Sequence, residues 1–332
     1  MPIVVLTTAA GAPGATTTAL GLALTWSGPT LLVEADPAGS SIASGYFRGS
    51  VDHSYGLLNL ALGRTQTDLA QAILDESRVL DEEADRRILL GLAEPAQASA
   101  LTSWWEPIAE GLLQLDAAGY TVLIDAGRLT QGSYPMPLLG VADLVLVMCR
   151  GTLSSAVRTQ PIAAALHDVL ERTGRAEQLG LGVIGQSDYG PQEIAKALRL
   201  PLVLRLPEDQ QNARVLSDGV NERKFSTSAL AKAYRAASME LTSTVARRRQ
   251  VVGLEDTPPP QPAQPRQPAQ PRQPAQADQP VAPAQPVRPA HQPSGPTHQP
   301  SGPAHQPSGP VHEQTPPRPG PQRMAEESGG PR

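Results

Sequence analysis

The chain has 332 residues and a formal net charge of −5, and its composition changes sharply near residue 256. Residues 256–332 contain 23 of the 35 prolines and no aromatic residue, so they cannot bury enough apolar surface to fold. The part before residue 257 has a net charge of −7, which argues against a large nucleic-acid-binding face. We predict one folded domain at residues 1–255 and a disordered Pro/Gln/Ala-rich tail with short repeats at residues 256–332.

Apolar runs alternate with helical patterns along residues 1–255. This order is typical of an α/β domain, here a three-layer, mostly parallel sheet with helices on both faces. The predicted strands are Ile3–Thr7, Thr30–Glu34, Tyr120–Asp125, Ala142–Cys149, Leu181–Gly185 and Leu202–Leu206, with a short buried run at Ile88–Leu92. The predicted helices are Thr16–Thr25 and residues 56–76, 99–118, 191–199 and 227–249.

The segment between the first strand and the first helix has the spacing of a phosphate-binding loop. In such a loop, glycines let backbone N–H groups face the phosphates, a lysine binds the terminal phosphates, and Ser or Thr binds Mg²⁺. Ala15 stands at the lysine position, and the chain has lysines only at Lys196, Lys224 and Lys232. The candidate nucleotide-binding residues are Gly11, Ala12, Pro13, Gly14, Ala15, Thr16 and Thr17.

Two acidic segments follow other predicted strands. Glu34-Ala35-Asp36-Pro37 begins at the end of the second strand, and Asp125 ends a later one. Ligands of open parallel sheets bind beyond the carboxyl ends of the strands, so these acids and the loop should converge there. A purely structural interpretation stays open, in which the glycines only form the turn and the acids are solvated or cap helices.

At these residues the chain resembles the ParA/MinD family of deviant P-loop ATPases, over about residues 2–250. Family members usually read Lys-Gly-Gly-x-Gly-Lys-Thr-Thr where this chain has Ala10–Thr17, so Ala10 and Ala15 replace both lysines. Thr30–Gly39 resembles the family's strand ending in Asp-x-Asp-Pro. Ala142–Val147 resembles its Ala-Asp strand, and Leu206–Asp209 resembles its Pro-x-Asp turn near the base.

The resemblance implies roles for several residues. Asp36 would orient the attacking water, and Thr16, Glu34 and Asp125 would form the Mg²⁺ site. Pro207 and Asp209 would lie near the nucleotide base. Catalysis of phosphoryl transfer depends on charge stabilisation, so the loss of both lysines predicts no efficient hydrolysis and weak Mg-ATP binding or none. Arg128 and Arg150 could supply replacement charge, but pairing with neighbouring acids is the simpler interpretation.

Two functions fit these residues. The first is a degenerate, non-hydrolysing positioning or scaffold factor for a protein partner, with the tail as a tether. The resemblance extends to the TadZ-like and septum-site branch, which suggests a pilus or secretion ATPase or a division component as partner, and also a homodimer. The alternative is an active ATP-dependent partition or positioning ATPase with a non-standard phosphate-binding cation. Neither interpretation predicts a specific nucleic-acid partner.

Cys149 is the only cysteine, which excludes an intramolecular disulfide and favours a reducing compartment. The N-terminal segment lacks the basic residues that begin a signal peptide. No run reaches the roughly 20 apolar residues of a membrane span. We therefore expect a cytoplasmic protein without direct membrane insertion.

Overall fold

The computed structural model describes residues 1–9, 14–51, 55–63, 68–129, 135–186, 189–220 and 225–252. Eight strands lie within these ranges: β1 Ile3–Thr8, β2 Thr30–Glu34, β3 Arg78–Asp81, β4 Arg86–Leu89, β5 Thr121–Arg128, β6 Leu144–Arg150, β7 Leu179–Ile184 and β8 Leu202–Leu206. The α-helices described are α1 Ala15–Thr25, α2 Leu57–Leu62, α3 Leu69–Asp75, α4 Trp105–Ala117, α5 Met136–Val141, α6 Leu153–Arg172, α7 Pro191–Leu198, α8 Gln210–Ser217 and α9 Ala229–Val252.

The strands form one sheet in the order β3-β4-β2-β5-β1-β6-β7-β8. Every neighbouring pair is parallel except β3 with β4. Because helices cover both faces, the central strands are nearly continuous apolar runs, and all six residues of β1 are buried. The predicted fold class, a three-layer, mostly parallel α/β sheet, is confirmed.

The two faces of the sheet have separate cores. Ile3 and Val5 face the layer of α2 to α7, whereas Val4 and Leu6 face the layer of α1, α8 and α9. This alternation follows from the two-residue period of a strand. Cys149 is buried on the first of these faces, as expected for a small apolar residue.

A close contact joins α1 to α9. A Cβ atom on Gly21 would lie 2.3 Å from the ring of Tyr234, so only glycine permits this approach. Tyr234 is 2% exposed, and it forms part of the wall of the cavity described below.

An ion-pair cluster fixes the end of α9 near the amino ends of β1 and β6. Arg249 pairs with Asp116 of α4 at 3.0 Å and with Asp143, just before β6, at 2.7 Å. Asp143 also accepts a hydrogen bond from the Ile3 backbone N–H at 2.8 Å. All three charged side chains are largely buried, and the cluster connects the last helix to the starts of β1 and β6.

The register of β1 against β5 contains a bulge. Leu6 pairs with Asp125 and Thr8 pairs with Arg128, so two residues of β5 oppose the single residue Thr7. Gly127, in the bulge, has φ +59°, a left-handed conformation that favours glycine. Because Leu6 and Thr8 share a face, Asp125 and Arg128 also share it, although they are three residues apart.

Some predicted elements need correction. The predicted helix at residues 56–76 is two helices, α2 and α3, because the first ends at Leu62, just before Gly63, and the second begins at Leu69. The predicted helix at residues 99–118 begins only at Trp105, after a 3-10 turn at Pro95–Leu101. Within the described ranges, no helix combines the length and apolar character needed to cross a bilayer.

Candidate functional site

A cavity of about 630 Å³ lies beyond the carboxyl ends of the central strands, on the face covered by α1, α8 and α9. Its wall combines the first turn of α1, the ends of β1, β5, β6, β7 and β8, and the turn after β8. The lining residues include Thr8, Gly14, Ala15, Thr16, Thr17, Asp36, Arg128, Arg150, Pro207, Glu208 and Asp209. Leu206, Ala213, Leu230 and Tyr234 make another part of the wall apolar.

The first turn of α1 forms the part of the cavity wall expected for a phosphate loop. Gly14 precedes the helix with φ 89°, which a residue with a side chain would rarely adopt. Ala15, the first residue of α1, is 4% exposed, and its replacement of a phosphate-binding lysine stays a prediction. Gly11, Ala12 and Pro13 lie outside the described residues, so their predicted roles stay predictions.

Asp125 is a buried carboxylate at the centre of the strand ends. It is 1% exposed, accepts a hydrogen bond from the Gly127 N–H at 3.1 Å and another from the Thr16 hydroxyl. Burial raises the pKa of Asp125 to about 7, and the nearby charges of Glu34 and Asp36 act in the same direction. The predicted metal residues Thr16 and Asp125 are thus in direct contact.

Glu34 pairs in register with Asp125, but its carboxylate binds a different segment. It accepts hydrogen bonds from the Ser40 hydroxyl at 2.5 Å and from the Ile42 and Gly91 N–H groups at 3.1 and 3.2 Å. Glu34 is 3% exposed, and burial raises its pKa despite these donors. These contacts fix the segment after Asp36, and metal ligation by Glu34 stays a prediction.

Asp36 lies at the cavity wall, in a tight turn. Its Oδ1 accepts a hydrogen bond from the Ala38 N–H at 2.8 Å. A Cβ on Gly127 would lie 2.0 Å from Asp36 Cγ, so the bulge glycine provides the space that Asp36 occupies. Burial raises the pKa of Asp36, whereas the Arg128 backbone N–H and charge oppose that rise.

The turn after β8 contributes Pro207 and Asp209 to the cavity. The carboxylate of Asp209 caps α8, accepting from the Asn212 N–H at 3.1 Å and from its side-chain amide at 2.8 Å. Asp209 therefore fixes the start of α8 beside the cavity, and its predicted contact with a nucleotide base stays a prediction.

Arg150 pairs with Glu208 at 2.8 Å across the rim of the cavity, as the simpler interpretation of this arginine expected. Both side chains are 45% exposed, and such pairs contribute about 0–1 kcal/mol. Arg128 also lines the cavity, beside Asp36. Thr8 was not predicted as a site residue. The pattern that could have indicated it is a polar residue at the end of a mostly apolar strand.

Comparison with solved structures identifies the architecture. The ParA family ATPase of Chlorobium tepidum aligns with 72% of this chain and 98% of its own, at a TM-score of 0.55 and 15% identity. The septum site-determining protein MinD of Pyrococcus horikoshii, solved with Mg-ADP, aligns with 75% of this chain and 99% of its own, at a TM-score of 0.56 and 17% identity. The chain has the ParA/MinD fold.

A third structure with this fold, MinD in the MinC:MinD cell division protein complex of Aquifex aeolicus, aligns with 73% of this chain and 96% of its own, at a TM-score of 0.57 and 15% identity. No protein-family model and no curated protein sequence matches the chain. The ParA/MinD fold accounts for the position of the cavity at the strand ends, and the side chains of this chain determine what the cavity can bind.

Proposed function

We propose that this protein is a non-hydrolysing positioning or scaffold factor of ParA/MinD fold that acts through a protein partner. The observation that carries the proposal is Ala15, buried at the start of α1 where phosphoryl transfer needs a cation. Removing one preorganised charge-stabilising donor typically costs 10²–10³ in rate, roughly 3–4 kcal/mol. Ala10 and Ala15 together remove two such groups, which leaves turnover too slow for a working cycle.

Mg²⁺ nevertheless fits the described residues. The Thr16 hydroxyl and the Asp125 carboxylate are adjacent oxygen donors of the kind that Mg²⁺ prefers. A bound Mg²⁺ would neutralise phosphate charge. These residues support weak Mg-ATP binding, and their hydrogen bond orients the hydroxyl toward the acid.

A complementation experiment tests the proposal. Asp36→Ala and Asp125→Asn should both restore function in a deletion strain, because neither acid has a phosphoryl transfer to assist. An ATP-driven switch would lose function with either change. Protein abundance must be measured in each strain, so that instability is not mistaken for lost chemistry. If both variants accumulate normally and both fail, the proposal is wrong.

The alternative is an active partition or positioning ATPase that uses another cation at the phosphates. Arg128 at the cavity wall is the observation that favours it. Phosphate release by the full chain with Mg-ATP separates the two candidates: only the alternative predicts turnover that Asp36→Ala abolishes. The double substitution Ala10→Lys and Ala15→Lys should strengthen Mg-ATP binding under the scaffold proposal, because the backbone of the first turn is already in place.

The proposed partner is a protein. Solved proteins of this fold include one in complex with MinC, so a surface-mediated role has a structural precedent. A pilus or secretion ATPase, a division component or a second copy of the chain each remains a candidate, in a cytoplasmic setting, and residues 256–332 would serve as the tether.

A further inference from the structure

The carboxyl ends of three neighbouring strands place two arginines and a threonine on one face. Thr8 of β1 pairs with Arg128 of β5 on one side and with Met148 of β6 on the other. Arg150 is two residues beyond Met148, so it projects from the same face. Arg128, Thr8 and Arg150 all line the cavity at the first turn of α1.

Thr8 has an unmet hydrogen-bonding requirement. The residue is 6% exposed, and its hydroxyl has no hydrogen-bond partner among the described residues. A buried hydroxyl without a partner is costly, and in native structures such a group commonly indicates a missing ligand or water. The hydroxyl lies between the strands that carry the two arginines, so an anion held by both guanidinium groups would also supply its missing partner.

We propose that the cavity binds a phosphate-bearing anion through Arg128 and Arg150 of the sheet, with the Thr8 hydroxyl between them, in place of the loop lysine. The first turn of α1 adds backbone N–H groups and the positive end of the helix. Guanidinium groups suit phosphate because they donate two parallel hydrogen bonds. The inference rests on the proposed function in one respect, that the ligand is held and not hydrolysed.

The ion pair between Arg150 and Glu208 holds the Arg150 side chain at the rim of the cavity while no anion is bound. Glu208 occupies the Arg150 guanidinium at 2.8 Å, and the pair is half-exposed. A pair of this kind is weak, so a phosphate group can displace the carboxylate. Glu208 is thus a competitor for Arg150, and its removal should strengthen anion binding.

Calorimetric titration of the full chain with ADP and with pyrophosphate, both with Mg²⁺, tests the proposal. Arg150→Met should weaken binding of both ligands about 10- to 100-fold, since it removes a charge-assisted contact. Glu208→Gln should strengthen binding about two- to fivefold, because it removes the competitor. The matched control is Arg205→Met, which removes an exposed arginine of β8 outside this cavity and should change nothing.

The outcomes separate this inference from the proposed function. No binding by the wild-type chain, or equal effects of Arg150→Met and Arg205→Met, overturns the anion site and leaves the scaffold role standing. Binding with the expected pattern together with phosphate release from Mg-ATP overturns the scaffold role and keeps the site. Sulfate, titrated in parallel, should bind more weakly than pyrophosphate; equal affinity would contradict a phosphate-specific site. Arg150 and Glu208 are both at the rim, and thermal unfolding verifies that each variant is folded.

Discussion

Replacing Asp125 by asparagine should stabilise the folded protein at pH 8 and destabilise it slightly at pH 4. The carboxyl group is buried, and its pKa rises from an ordinary 3.8 to about 7 in the folded chain. The unfolded chain therefore releases this proton at lower pH than the folded chain, so Asp125 lowers stability progressively between about pH 4 and pH 7. At 1.36 kcal/mol per pH unit, the loss is about 4 kcal/mol.

Asparagine keeps the acceptor for the Gly127 N–H and a hydrogen-bonding contact with Thr16 but carries no charge. Imperfect replacement of these bonds costs about 1 kcal/mol, which leaves a net gain of about 3 kcal/mol at pH 8. Urea unfolding of both proteins without divalent cations, at pH 4 and pH 8, measures the difference. Asp168→Asn, on the exposed side of α6, is the control and should show no gain at either pH. The reasoning is refuted if the Asp125 variant is no more stable than the wild type at pH 8.

Three further changes have defined outcomes, each measured by thermal or urea unfolding. Gly127→Ala should destabilise by at least about 2 kcal/mol, through φ strain and contact with Asp36, whereas Gly119→Ala, with positive φ but open space, should cost only about 1 kcal/mol. Arg249→Met should cost about 2–4 kcal/mol because it removes the guanidinium group that pairs with two largely buried carboxylates, in contrast to a negligible effect of Arg247→Met at an exposed position. Deletion of residues 257–332 should shift the melting temperature by no more than about one or two degrees, since the segment has little apolar content.

Each of these three predictions has a result that would contradict it. Equal costs at Gly127 and Gly119 would mean that contact with Asp36 is relieved by movement of the turn. A neutral Arg249→Met would show that the cluster at the end of α9 contributes no stability. A large loss of stability on removal of the tail would show that the tail docks on the domain and that the predicted boundary is wrong.

The sequence predicted the strands well where burial alone decides the conformation. β2 and β8 have the predicted bounds, because continuous runs of apolar and β-branched residues can form little else in an α/β domain. The helix α6 was not predicted, although it has 20 residues. It contains Pro161, and alanines supply much of its buried face, so its apolar period is weak. β3 was missed because it is partly exposed and depends on pairing with β4.

The candidate site was predicted in outline, from the loop spacing and the acids at two strand ends. Its inner contacts were not predictable, since they join residues far apart in the chain. Glu34 accepts from Gly91, 57 residues away, and Arg150 reaches Glu208, 58 residues away. No local pattern predicts such contacts, because they depend on which loops the sheet order brings together.

The bulge in β5 makes the chemistry of the cavity depend on strand geometry as well as on residue identity. A regular strand of the same length, without the bulge, would turn Arg128 toward the opposite face of the sheet. Leu129, now buried in the layer of α2 to α7, would then take its place at the cavity. The extra residue of the bulge thus decides whether β5 presents a cation or a hydrocarbon to the cavity at this position.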